Sequence, residues 1–132
     1  MENSKPTDNQ NMGEIATSDR QITLYYSSES SIAKQTLAYA KGEGLALQSI
    51  DILETKLTGT QLTEIADKLH MRVADLVDTE HPDYTSNFEN HDFSTDDWIT
   101  MITKHPSILK GPIALRGDKC ILVKTPTDIV NI

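Results

Sequence analysis

Residues 22–53 constrain the fold most, because they read as a strand, a helix and a second strand joined by short links. Ile22, Leu24 and Tyr26 alternate with Thr23 and Tyr25, the period of a strand. Ser27, Ser28, Glu29, Ser30 and Ser31 have no apolar period and suit a turn leading into a helix N-cap. Ile32, Ala33, Leu37 and Ala40 then share one helical face, and Gly42 and Gly44 end the helix. LALQSIDIL at 45–53 is apolar enough to predict a second buried strand. A strand–helix–strand unit almost always crosses over right-handed. It leaves a helix N-terminus, with free N–H groups and a partial positive charge, at the end of the first strand. An anion or a low-pKa thiol would sit there.

The rest of the chain supplies further punctuation. Thr58 and Gln61 have the spacing of a capping box, with Leu57 and Leu62 placed to staple it. Leu62, Ile65, Ala66 and Leu69 follow as the buried stripe of a helix. Residues 70–92 are less regular, and His81-Pro82-Asp83-Tyr84 reads as a turn. A second capped start falls at Ser94, with Asp96 and Asp97 in the first turn and Phe93 and Trp98 at staple positions. Trp98, Met101 and Ile102 form that helix's inner face, and Pro106 ends it. Residues 112–115 and 120–123 predict two strands joined by a hairpin turn at Gly117-Asp118. Thr125, Pro126 and Asp128 open a short last helix: cap, proline at the first position, acid at the third.

Composition removes several functional classes. At 132 residues the chain is expected to form one domain over 21–132, preceded by a polar, non-periodic tail at 1–20. That tail lacks the basic and apolar regions of a signal peptide, and no run approaches transmembrane length. A cytoplasmic protein with no membrane contact is the expectation. The net charge of −8 argues against direct nucleic-acid binding, which draws its affinity from Lys and Arg on phosphates. It argues also against capture of an oxyanion. The single cysteine, Cys120, excludes an internal disulfide and any CxxC centre. His70, His81, His91 and His105 lack ligand-like spacing, so neither a metal nor another cofactor is expected.

The order β-α-β, helical insert, β-β-α, together with HPSILKGPIAL at 105–115, resembles a family of the thioredoxin fold. Its members are the glutaredoxin-coupled arsenate reductases and the Spx-type transcription regulators. The resemblance runs over residues 21–132 and is carried by ITLYY at 22–26, the helix beginning at Ser30, ETKLTGTQL at 54–62, residues 105–113 and TPTDIV at 125–130. It implies an α/β, thioredoxin-like fold: a four-stranded mixed sheet flanked by helices, with a helical insert. It also implies a cis bond between Gly111 and Pro112, which Gly111 would permit.

The departures from the family fall on its chemistry. Ser30 stands where the reductases carry their cysteine, and Ala33 where a neighbouring serine follows. Gly111, before Pro112, replaces one family arginine, Asp78 falls near the place of a second, and Thr125 replaces a third, with Lys124 beside it as a partial substitute. Arsenate reduction needs a thiolate nucleophile and cations that hold the oxyanion. A serine hydroxyl is hardly ionised at neutral pH and forms no mixed disulfide with glutathione or glutaredoxin. The site is therefore read as degenerate at Ser30, Ala33, Asp78, Gly111, Pro112 and Thr125, with no catalytic residue assigned.

What remains is a non-catalytic, intracellular protein-binding or regulatory module. Spx-type relatives bind an RNA polymerase subunit, so the resemblance implies a partner of that kind. The alternative is a glutathione-dependent thiol transferase or reductase using Ser30 in place of the family cysteine. Ser30 is read first as a helix cap. Glu29 is either a carboxylate lying over the empty anion site or a solvated loop charge. Cys120 is read as an inert strand residue, and Arg116-Gly117-Asp118 as a hairpin turn. Asp75, Asp78, Glu80, Asp83, Glu89, Asp92, Asp96 and Asp97 make the insert acidic. The simplest account is a solvated face; the functional one is a docking surface for a basic partner.

Overall fold

The computed structural model describes residues 20–87 and 93–132. Four strands form one mixed sheet in the order β2-β1-β3-β4. β1 (Ile22–Tyr26) pairs in parallel with β2 (Leu47–Asp51) and antiparallel with β3 (Ile113–Arg116). β3 in turn pairs antiparallel with β4 (Lys119–Leu122) through the turn at Gly117, whose φ is 59°. These elements realise the predicted α/β, thioredoxin-like architecture.

The alternation in β1 does not mark an exposed face. As an inner strand it is covered on both sides, so Thr23 is buried along with Ile22, Leu24 and Tyr25. Ile22 and Leu24 pack with Ala40 of α1 (Ser31–Gly42), Ala114, Val123 and Ile129. Tyr25 joins a second, larger core with Leu62 and Ile65 of α2 (Gly59–Lys68), Met101 and Ile102 of α4 (Thr95–Lys104), and Ile113 and Leu115 of β3.

Three expectations need correction. The second strand is shorter than 45–53 and lies at the sheet edge, with Gln48 and Ser49 exposed. The apolar residues of this stretch still serve both cores, Leu45 and Leu47 the smaller one and Ile50 and Ile52 the larger, and among the described residues no strand pairs beyond it. His81-Pro82-Asp83-Tyr84 is not a free turn but the start of a short helix, α3 (Pro82–Asn87). Proline is favoured at a first helical position, which the turn reading overlooked. The last helix forms as a 3-10 helix over Pro126–Asn131, with Pro126 at its first position and Asp128 accepting the Thr125 N–H at 3.0 Å.

The insert between β2 and β3 is held by local chemistry that the sequence announces. Thr58 and Gln61 close a reciprocal capping box on α2, and Ser94 and Asp97 close one on α4. Leu57 and Leu62 are both buried at the staple positions of the first. Phe93 meets Trp98 edge-on at 5.0 Å at the second, and Tyr84 of α3 stacks on Trp98 at 6.2 Å. Glu89, His91 and Asp92, and the tail over 1–19, lie outside the described residues.

Candidate functional site

The carboxyl end of β1 opens into a cavity of about 330 Å³. Three segments and Ile52 build it: Tyr25 to Ser30, the chain around Asp78 and His81, and residues 107–111. The first is positioned by the α1 cap. Ser30 has extended backbone angles, and its Oγ accepts the Ala33 N–H at 3.2 Å. This is ordinary N-cap geometry, so the serine-rich stretch folds here as its composition predicts. Asp51, at the end of β2, ties the loop down from the other side. Its Oδ1 accepts the N–H groups of Ser28 at 3.2 Å and Leu53 at 3.0 Å. Burial works against the Asp51 carboxylate, but hydrogen bonds from the Ser28 side chain and from the backbone of Leu53 and Ser28 hold it below the usual range.

The second and third segments are laced together by backbone bonds. Asp78 N–H donates to the Ile108 carbonyl at 2.7 Å, and Lys110 N–H donates to the Leu76 carbonyl at 2.7 Å. Val77 and Leu109 form the bridge between these bonds. This lacing brings Asp78 and His81 to the same cavity as Lys110 and Gly111. The peptide bond between Gly111 and Pro112 is cis, as the family resemblance implies. Pro112 is fully buried.

The predicted site residues therefore separate. Ser30, Asp78 and Gly111 line the cavity, and Glu29 lines it with them. Ala33 is buried in α1 and serves packing. Thr125 is exposed and caps the final 3-10 helix, away from the cavity lining. Lys124 donates its backbone N–H to Asp128 in the same cap, at 2.9 Å. Among the lining residues that the sequence reading did not assign to the site are Lys110 and His81. Lys110 lies one position before Gly111, so it carries a cation close to the place of the family arginine. No sequence signal links His81 to Ser30; the backbone lacing does.

His81 is held locally: its Nδ1 accepts the Asp83 N–H at 3.0 Å. Ser107 donates its hydroxyl to Asp83 Oδ2, fastening the start of α3 to the segment before Gly111. The chain's one thiol is elsewhere. Cys120 sits on β4 against the larger core, and burial pushes it up to about 11, with Lys68 acting weakly in the other direction. The cavity thus offers hydroxyls, one ammonium, one imidazole and two carboxylates, and no thiol. Among the described residues no group of three or more His, Cys, Asp or Glu is placed to hold a metal ion. No described helix is long and apolar enough to cross a membrane.

No family model matches the chain. It is similar to the arsenate reductase of Haemophilus influenzae, 26% identical over 113 residues, which is 84% of this chain and 97% of the relative. The structure resembles the arsenate reductase from Vibrio cholerae with a TM-score of 0.75 and 22% identity, covering 86% of this chain and 98% of that one. It also resembles an arsenate reductase-related protein from Brucella melitensis, with a TM-score of 0.65 and 15% identity over 88% of this chain and 97% of that one. The chain thus shares the fold of these proteins, and its sequence is similar to that of the Haemophilus influenzae arsenate reductase over most of both chains.

Proposed function

We propose that this protein is an arsenate reductase-like module without reductase chemistry, acting by binding a protein partner. One observation carries the reading: Ser30, at the place of the family nucleophile, holds its hydroxyl on the Ala33 N–H, and the only cysteine is absent from the cavity. A thiolate nucleophile would have to come from another molecule. By likeness to the Spx-type regulators, the partner is an RNA polymerase subunit, and the role is regulatory.

The acidic insert is a weaker docking surface than its charge count suggests. Asp75 pairs with Arg72 at 3.2 Å, Asp83 receives Ser107, and Asp97 closes a capping box. Asp78 Oδ1 accepts the Glu80 N–H at 3.0 Å. Glu80 and Asp96 are exposed, and their carboxylates make no hydrogen bond or ion pair among the described residues. The test is direct binding of purified protein to the RNA polymerase α-subunit, with a Glu80→Lys/Asp96→Lys variant as comparison. Saturable binding is expected, weakened in the variant. No binding by either protein at high concentration would remove the polymerase partner.

A second reading is supported by Lys110 and His81 beside Ser30: a glutathione-dependent transferase using the serine hydroxyl. Saturable glutathione binding that Ser30→Ala abolishes is its signature. Absence of binding at millimolar glutathione removes it.

A further inference from the structure

The cavity beside Ser30 has the wrong charge balance for an oxyanion. Glu29 and Asp78 line it with two carboxylates, against the single ammonium of Lys110. Neither carboxylate forms an ion pair among the described residues. Asp78 uses Oδ1 on the Glu80 N–H, while Glu29 is held by its backbone N–H on Ser27 Oγ at 3.2 Å, leaving its side chain uncommitted.

The positive groups are weaker than a count suggests. Lys110 is exposed, as Glu29 is, while Asp78 is half-buried and the better shielded of the three charges. Arg72 is the main reason that the Asp75 carboxyl lies below the usual range, and Lys110 adds to that effect. The N-terminus of α1 contributes about half an elementary charge, and Ser30 already occupies its Ala33 N–H. His81 Nδ1 is turned to the Asp83 N–H at 3.0 Å. Leu109, Ile52, Tyr25 and Tyr26 supply apolar and aromatic wall, suited to a methylene stem or a guanidinium face. At about 330 Å³ the space lies at the low end of ligand pockets, which run roughly 300–1,000 Å³, so it suits one extended side chain.

We propose that this cavity receives the cationic head of a lysine or arginine side chain presented by a protein partner, seated between Glu29 and Asp78. The proposal rests on the binding-module reading above and deepens it: the degenerate site is itself the contact. A free polyamine has the same ammonium chemistry, and the test separates the two sources.

The test is titration of the ¹⁵N-labelled full chain near pH 7, followed by amide shifts. The probes are acetyl-Gly-Lys-Gly-amide, its arginine and norleucine analogues, spermidine and sodium sulfate. The lysine and arginine peptides are expected to shift the amides of Ser30, Asp78 and Gly111 saturably, and the norleucine peptide to leave them in place. Glu29→Gln/Asp78→Asn is expected to weaken binding about tenfold or more. Asparagine keeps an oxygen for the Glu80 N–H, so the loop survives the change. Gly111→Arg is a second variant. A Cβ at Gly111 meets only ordinary contacts, at 3.5 Å or beyond, so the new guanidinium can fill the cavity and exclude the peptides.

Three results overturn the proposal: no shifts from either basic peptide at roughly 20 mM, equal binding in the carboxylate variant, or sulfate moving the same amides. Shifts with spermidine alone overturn the protein source. Arsenate turnover by the unaltered protein contradicts the binding-module reading beneath; peptide silence without turnover contradicts this proposal alone.

Discussion

Ser30 and Cys120 carry opposite halves of the argument at the scale of single residues. The Ser30 hydroxyl is a cap, and replacing such a cap by alanine typically costs about 1 kcal/mol. Ser30→Ala is therefore expected to lower the urea midpoint by that equivalent, while Ser30→Asp, which keeps an acceptor, leaves it nearly unchanged. A hydroxyl used only in chemistry would leave the midpoint unmoved in both. Cys120 is a thiol with the wrong surroundings for reactivity. Its pKa of about 11 against an ordinary value of 9.0 makes the thiolate fraction near pH 8 roughly a hundredfold smaller. Alkylation of the folded protein should be slower than that of the urea-unfolded protein by a factor of that order. Equal rates would show an accessible, ionisable thiol and reopen the redox question. Residue identity alone puts a serine at position 30 and the single cysteine at position 120. It did not announce Lys110 or His81, because what places them beside Ser30 is the pairing of residues 76–78 with 108–110.

At the scale of elements, two contacts decide how the helices and the site loop sit. Gly59, at the first position of α2, faces α4 so closely that an added Cβ would lie 3.1 Å from Ile99 Cγ2. Gly59→Ala should cost about 1 kcal/mol through overpacking, although alanine is the better helix former. Ile99→Ala added to it should relieve the strain, giving a coupling detectable in a double-mutant cycle. Simple additivity would show that α2 and α4 give way freely. Asp51 is the anchor of the 27–30 loop. Its folded pKa lies below the unfolded value of 3.8, so its contribution to stability is present above that value and lost as pH falls through the lower one. Asp51→Asn should flatten the acid limb of the stability–pH curve and broaden the Ser28–Ser30 amide resonances. An unchanged limb would mean that Asp51 does not hold the loop. Most elements were legible because capping boxes and staples mark helix starts locally. The edge position of β2 was not, since an apolar run does not say whether another strand lies beyond it. Nor was α3, where Pro82 reads equally as a turn residue and a first helical residue.

The whole molecule has the fold of the arsenate reductases it resembles, and the proposed reading is that its chemistry differs from theirs. The sheet order, the cis Gly111-Pro112 bond and the cavity at the end of β1 are all in place. What lines the site is a capped serine, two carboxylates, one lysine and one histidine. The fold could be read in advance because the order of elements and their punctuation are local properties. The charge of the cavity could not, because it sums residues from three distant segments. The measurement that bears most directly on the central claim is arsenate reduction with glutathione, glutaredoxin and their reducing system, comparing the unaltered protein with Ser30→Cys/Gly111→Arg. The account predicts no turnover above background for the unaltered protein, with any gain confined to the variant that regains a thiol and a guanidinium. Turnover by the unaltered protein, at a rate that Ser30→Ala removes, would contradict it.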